Sequence, residues 1–376
     1  MLRTPITFRP IGGGNSVRYW IHWLKTDIIA LKISDHIIGG MFGQPVSIAE
    51  NSEIPPFINR QSIFLVNARS GIFLLTELLS PRKVWVPSYL CHTILEGVRK
   101  AGGCVEFYVV NYDLQIDSYD WIKKVGEGDL VVLIDYFGWT YQKECIDLIK
   151  EQGACVLEDA SQAMFTEGIS RFSDFTLLSP RKFLGVPDGG ILTPNSERFE
   201  LNDVVLSEPP EEWWLKAFTA SALRREFDTY GGSNHWYELY QNMDSTHPIG
   251  RYAMSHLSRV LLYRCFDYSD IIRRRVNNYR TLASHLAEIA IFPEIPDGVV
   301  PLGFPVRIMN RDNVRQSLFK ERIYPPVHWL IKGIVPDTFR DSHILSNKIM
   351  TLPCDQRYDV EDMERVARLI QKETSY

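Results

Sequence analysis

Between residues 60 and 194 short apolar runs alternate with stretches of helical period. KVWVPSY (83–89) is a β-branched run ended by a proline, and CVEFYVVN (104–111) reads as a strand. DLVVLIDYFG (129–138) is almost continuously apolar, as a strand covered on both faces of a parallel sheet must be. ACVLEDA (154–160) is another such strand, and FTLLS (175–179) and GGILTP (189–194) are two more around a turn. NARSGIFLLTELLS (67–80) reads as a loop entering a helix. HTILEGVRKAGG (92–103) is a helix stopped by Gly102 and Gly103, KECIDLIKEQG (143–153) is a second with a glycine stop, and residues 116–125 suit a short one. Strand, helix and strand at this spacing predict βαβ units and an α/β fold.

Past residue 210 the texture changes. Residues 213–230 and 254–289 carry long helical patterns, the second including a spine between a large and a small domain. PLGFPVRI (301–308), IYPPVHW (323–329), MTLPCD (350–355) and VEDMERVARLIQK (360–372) read as a small α+β domain ending in a helix. The expected division is an N-terminal extension over 1–54, a large domain over 55–255, and a linking helix with a small C-terminal domain over 256–376.

Composition narrows the function classes. The 376 residues hold 41 Lys and Arg against 46 Asp and Glu, a net charge of −5, so the chain as a whole exerts no pull on nucleic acid. Six cysteines (91, 104, 145, 155, 265 and 354) form no CxxC pair and no zinc spacing; they read as buried free thiols of a cytoplasmic protein, and no metal site is expected. The N-terminus lacks the apolar core of a signal peptide, and no apolar run reaches the roughly 18 residues of a membrane span. The amphipathic stretch 19–38 carries Lys25, Asp27, Lys32 and Asp35, which suits a helix packing on its own domain or a partner subunit better than one lying on a membrane.

In open α/β sheets functional residues gather at the carboxyl ends of the strands. Lys182 closely follows the strand FTLLS, where partial desolvation can turn a lysine into a nucleophile that forms Schiff bases. Glu158 and Asp159 end an apolar strand, Ser70–Gly71–Ile72 form a turn at a helix start, and PSYLCH (87–92) follows another strand. Together they could serve pyridoxal phosphate (PLP), which needs a lysine, a carboxylate for its ring nitrogen, backbone N–H groups for its phosphate and a flat or apolar group on the ring face. Singly, each has a plainer reading: a solvated lysine, a helix cap, a generic turn.

Residues 64–194 resemble the DegT/DnrJ/StrS family of PLP-dependent sugar aminotransferases. The resemblance rests on SGI (70–72), WVPSY (85–89), KAGGCVEFYVV (100–110), DYFG (135–138), EDASQA (158–163) and RKFLGVPDGGIL (181–192). RRRVNNYRTLASHL (273–286) and MTLPCDQRYDVEDMERVARLI (350–370) extend it into the C-terminal part. It implies fold type I: a three-layer αβα large domain with a mostly parallel sheet and a small α+β domain. It implies that Lys182 carries the cofactor and shuttles a proton, and that Asp159 pairs with the pyridinium nitrogen. Gln162 would reach the phenolic oxygen, Ser70, Gly71 and Ile72 would face the phosphate, and Tyr89, Cys91 or His92 would lie on the ring. It further implies a homodimer, with a neighbouring subunit supplying a residue that aligns with Arg251.

Three departures stand out. The family's serine five residues before the lysine is Leu177 here, with Ser179 two residues later. Cys91 takes the place of a stacking aromatic, and Arg251 that of an asparagine. His328 and His92 are candidate substrate contacts. Trp213, Trp214, His235 and Trp236 suit either a lid or helix packing, and packing is the reading preferred. Arg273–Arg275 suit a solvated helix face or an interface cluster. The expected function is transfer of an amino group from an amino acid, glutamate first among candidates, to a keto sugar. That sugar is expected to be nucleotide-linked and made for polysaccharide or secondary metabolites. The alternatives are a non-catalytic binding or regulatory member of the family and another PLP-dependent reaction on a sugar. Dehydration is disfavoured because the family's dehydratases carry a histidine where Lys182 stands.

Overall fold

A computed structural model describes residues 37–48, 55–141, 143–196, 198–199, 201 and 203–374. The chain divides into two units, Met1–Ile37 and Ile38–Tyr376, and the described strands and helices belong to the second. Of the amphipathic stretch 19–38 only its last two residues fall among those described, and Ile38 stands in a strand.

The strands are β1 Ile38–Gly39, β2 Ile63–Leu65, β3 Val84–Pro87, β4 Val105–Tyr108, β5 Leu130–Ile134, β6 Cys155–Asp159, β7 Phe175–Leu178, β8 Gly190–Pro194, β9 Phe304–Arg307, β10 Ile323–Tyr324 and β11 Ile349–Leu352. The α-helices are α1 Ala68–Leu79, α2 His92–Lys100, α3 Lys143–Glu151, α4 Glu211–Tyr230, α5 His235–Ser245, α6 His256–Arg264, α7 Tyr268–Leu286, α8 Arg311–Lys320, α9 Arg340–Lys348 and α10 Val360–Thr374. Seven strands form one sheet in the order β2-β8-β7-β6-β5-β3-β4. The five from β7 to β4 run parallel, while β8 runs antiparallel to both its neighbours. β3, β5, β7 and β8 are buried at every position, which accounts for their unbroken apolar runs.

The carboxyl ends of the parallel strands therefore share one edge. The register sets Ile134 beside Asp159 and Asp159 beside Leu177, so the turns after β5, β6 and β7 are neighbours. Separately, β9 and β11 pair antiparallel, and a core of Tyr279, Leu282, Leu352, Val366 and Ile370 joins α7 to α10.

Several features differ from the sequence pattern or refine it. β2 is an edge strand three residues long, too short to leave an alternation. The helical pattern over 254–289 breaks into α6 and α7 because Asp267 caps the second helix, accepting the Asp270 N–H at 2.9 Å. Only Cys145 and Cys354 are buried thiols; Cys91, Cys155 and Cys265 are partly exposed, and Cys104, just before β4, is exposed. Trp213 and Trp236 are packing residues: Trp213 Nε1 donates to the Met243 carbonyl at 3.0 Å, and Trp236 lies 4.6 Å from the Arg224 guanidinium. Trp214 stacks on Phe218, while His235 is exposed and lies beside Glu238. Arg273 and Arg274 are solvated partners of Asp270, whereas Arg275 is fully buried. Among the described residues no helix is long and apolar enough to cross a membrane.

Gly190 fixes how α1 meets the sheet. A methyl group there would lie 2.3 Å from the Asn67 carbonyl carbon, so only glycine lets β8 pass the first turn of α1. Gly190→Ala is expected to cost more than about 2 kcal/mol of stability, as overpacking against backbone does. Gly102→Ala, at φ +78° with nothing within 4 Å, is expected to cost about 1 kcal/mol. Urea denaturation of both variants checks the order, and equal losses would contradict the close approach.

Candidate active site

The turn after β7 carries Lys182 on a single turn of 3₁₀ helix, Pro180–Lys182. The Lys182 N–H donates to the Ser179 carbonyl at 3.0 Å, and Lys182 Nζ has no hydrogen-bond or ion-pair partner among the described residues. Downstream the loop is pinned. The buried Asp188 carboxylate accepts the Ser255 N–H at 2.7 Å, the Ser255 hydroxyl at 2.5 Å and the Ser258 hydroxyl. The Phe183 carbonyl accepts Gln356 Nε2 at 2.6 Å, with Arg275 Nη2 at 3.5 Å.

Asp159, the last residue of β6, is buried. Its Oδ1 accepts the Ser161 N–H at 3.1 Å. Gln162 Oε1 accepts the Phe137 N–H at 2.9 Å, while the buried Gln162 Nε2 has no partner. A buried amide donor left unsatisfied is costly, so an acceptor from outside the protein would complete this site.

Aromatic rings wall the cleft. Tyr89, buried after β3, accepts the Trp329 N–H at 2.7 Å and donates to the His328 carbonyl; Tyr136 donates to the Tyr89 carbonyl. The Tyr89 ring lies 5.7 Å from Trp329 and 6.2 Å from Tyr136. His328 bonds Thr351 Oγ1 through Nδ1 at 2.9 Å, and its ring is 5.9 Å from Phe137. Burial, reinforced by the Lys182 charge, drives the His328 pKa down to about 3, so its imidazole is neutral at physiological pH. Cys91 caps α2 and receives the Thr93 hydroxyl at 3.3 Å. Burial pushes its thiol up, but His92, Thr93 and the Lys182 charge together hold it below the ordinary value. His92 is half exposed and 3.5 Å from Glu96.

Lys182, Asp159, Gln162, Tyr89, Cys91 and His328 thus gather at one edge of the sheet. α1 begins at Ala68 with Asn67 as its cap, which sets Gly71 and Ile72 beyond its first three residues. Of the first N–H groups, that of Ser70 goes to Asn67 Oδ1 at 2.8 Å, Ala68 lies at the Asn67–Gly189 bridge to β8, and that of Arg69 has no bond among the described residues. The Ser70 hydroxyl is held by the Pro248 carbonyl and the Gly250 N–H, both at 3.3 Å. Arg251 pairs with Glu77 on the flank of α1 at 2.8 Å; its expected role is in the site of a neighbouring subunit. Ser179 contributes its carbonyl, and its hydroxyl has no bond among the described residues. Leu177 is fully buried, and a methyl on Gly71 would lie 2.5 Å from Leu177 Cδ1.

No protein-family model and no curated protein sequence matches the chain. Solved structures do. Helicobacter pylori PseC, an aminotransferase involved in the biosynthesis of pseudoaminic acid, superposes with a TM-score of 0.63 at 15% identity over 84% of this chain and 86% of its own. DesV of S. venezuelae, solved with a ketimine intermediate, gives 0.61 at 15% identity over 96% and 97%. The aminotransferase TlmJ of Streptoalloteichus hindustanus gives 0.60 at 18% over 83% and 85%. The chain has the fold of these aminotransferases.

The ends of β5 and β6 bring three carboxyl groups together, those of Asp135, Glu158 and Asp159. Asp135 is fully buried after β5, and neither of its oxygens is hydrogen-bonded. Burial, with Glu158 and Asp159 nearby, raises its pKa well above the ordinary carboxylate range. The native chain therefore keeps a proton that the unfolded chain has already lost, and wild-type stability falls as pH rises through that window. Asp135→Asn has no such proton to lose. Its stability relative to wild type is expected to be higher at pH 8 than at pH 5 in urea denaturation; a difference that does not change with pH would contradict the buried, protonated carboxyl.

Proposed function

We propose that this protein is a PLP-dependent aminotransferase that moves an amino group from an amino acid to a keto sugar. One observation carries the reading: two neighbouring strand ends, those of β6 and β7, bring together a lysine unpaired among the described residues, a buried aspartate and a glutamine whose amide donor is unspent. Several features fit the cofactor. Gln162 Nε2 suits the phenolic oxygen, and Asp159 suits the ring nitrogen. The positive end of α1, with the Arg69 N–H unbonded among the described residues, suits a phosphate. When bound, PLP supplies an electron sink for the pair left at Cα of the amino donor.

The chain's own residues supply the rest. Lys182 Nζ, free of any ion pair, is the amine that holds the cofactor covalently and, once displaced by the donor, takes the proton from the donor's Cα. Asp159, held by Ser161, offers its carboxyl group to the ring nitrogen, which must stay protonated. His328 offers an uncharged imidazole oriented by Thr351. Tyr89 and Tyr136 exclude water with rings whose hydroxyls are already spent on backbone carbonyls. The acceptor in this reading is a nucleotide-linked keto sugar and the working species a homodimer, as the sequence resemblance implies.

A binding role without turnover is favoured by Leu177, an apolar side chain at a position where a phosphate-holding hydroxyl is expected. One experiment separates the two. Protein loaded with PLP is expected to show a visible absorbance band that glutamate, or another amino acid from a donor panel, converts to the near-ultraviolet band of the amine form. Lys182→Ala is expected to show neither the lysine-dependent band nor the conversion. A band that no donor converts, or no band at saturating PLP, contradicts the aminotransferase and supports the non-catalytic role.

A further inference from the structure

With Leu177 buried, Asn67 spent on its cap and the Ser70 hydroxyl spent on the 248–250 loop, the start of α1 has lost its neutral side-chain donors. Two arginines stand there instead. Arg69 is the second residue of α1, and Arg181 immediately precedes Lys182. Their side chains are only 13% and 19% exposed. They belong to one cluster. Arg181 Nη1 lies 3.0 Å from His247 Nε2, and Arg181 Nη2 lies 3.9 Å from Asp244 Oδ1. The Arg69 charge bears on the same two residues. The chain just beyond His247 is tied to α1, since the Pro248 carbonyl accepts Asn67 Nδ2 at 2.8 Å.

Neither guanidinium is fully spent on its partners. Glu96 meets Arg69 at 2.8 Å, and Asp244 meets Arg181 only at the outer limit of an ion pair. Burial drives His247 down to about 4, so it is neutral at pH 7. Its Nδ1 is buried without a partner, on a side chain 5% exposed. Arg69 and Arg181 thus share Glu96, Asp244 and, through the Arg181 charge, Asp188, and both stand beside the start of α1. Guanidinium groups bind phosphate through paired hydrogen bonds that a hydroxyl lacks.

We infer that Arg69 and Arg181 form a two-arginine clamp that holds a phosphate monoester at the start of α1, in place of the hydroxyl that Leu177 has displaced. The inference rests on the PLP reading for the identity of that monoester. In the bound state Arg69 Nη1 is shared between Glu96 and the phosphate, and the Arg69 N–H supplies a further bond.

The test compares PLP with pyridoxal, which lacks the phosphate, by absorbance titration of wild type, Arg69→Leu, Arg181→Leu and Arg181→Lys. Each leucine variant is expected to lose about tenfold or more in PLP affinity, the scale of one charge-assisted pair, with pyridoxal affinity unchanged. Arg181→Lys is expected to lose less. Equal losses for PLP and pyridoxal, or no loss for PLP, would overturn the clamp. Inorganic phosphate supplies a second arm independent of the PLP reading. It is expected to raise the melting temperature of wild type and not of the Arg69→Leu/Arg181→Leu double variant. If wild type gives no band with PLP yet shows the phosphate effect, the PLP reading fails and the clamp stands; if phosphate stabilises both proteins alike or neither, the clamp fails.

Discussion

The arrangement depends on one close approach, that of the glycine opening β8 to the backbone of Asn67 at the head of α1. A helix start carries unsatisfied N–H groups and a positive field, and it is useful only if it is held still beside the chemistry. Here the Gly189 N–H donates to the Val66 carbonyl at 2.8 Å, so the strand leaving the lysine turn is bonded to the residue entering the helix. The lysine, the helix start and the loop between β7 and β8 thereby form one rigid object. Asp188, two residues upstream of Gly190, adds the serines at the start of α6.

The parallel sheet supplies the second constraint. Its strands are buried on both faces, so polar side chains survive mainly where the strands end. That is why Asp135, Asp159 and Lys182 crowd one edge. The crowding has a cost in desolvation, visible in the unbonded Asp135 carboxyl and the unspent Gln162 amide. Such groups are tolerated where a ligand or proton completes them. The rest of the rim is firmly closed: Arg275 spends its guanidinium on the Pro301 and Leu302 carbonyls at 3.0 and 3.1 Å and faces the Phe183 ring at 4.5 Å. This anchors the residue next to Lys182 to α7.

Much of this arrangement is legible in the sequence, for definite reasons. Continuous apolar runs mark β5 and β6, and a charged residue at the end of such a run marks Asp159. The spacing of EDASQA from RKFLG marks Lys182 and Gln162. The start of α1 is harder to place, because the Ser-Gly pair looks like a turn; the better signal is Asn67, a capping residue three positions before Ser70. Moving the start back to Ala68 brings Arg69 into the first turn and takes Gly71 and Ile72 out of it. Arg181 is legible only as a neighbour of the lysine, because its partners His247 and Asp244 lie more than 60 residues away. β2 leaves no pattern in three residues, and the pairing of β9 with β11 spans about 40 residues of intervening chain, which no local periodicity encodes.

The central claim is that Lys182 is the amine that captures PLP, and the most direct measurement is peptide mapping after borohydride reduction of PLP-treated protein. The account predicts one stoichiometric pyridoxyl label, on the peptide that contains Lys182, and no label there when Lys182 is replaced by alanine. Labelling spread over surface lysines, or a single label on another lysine, would contradict it.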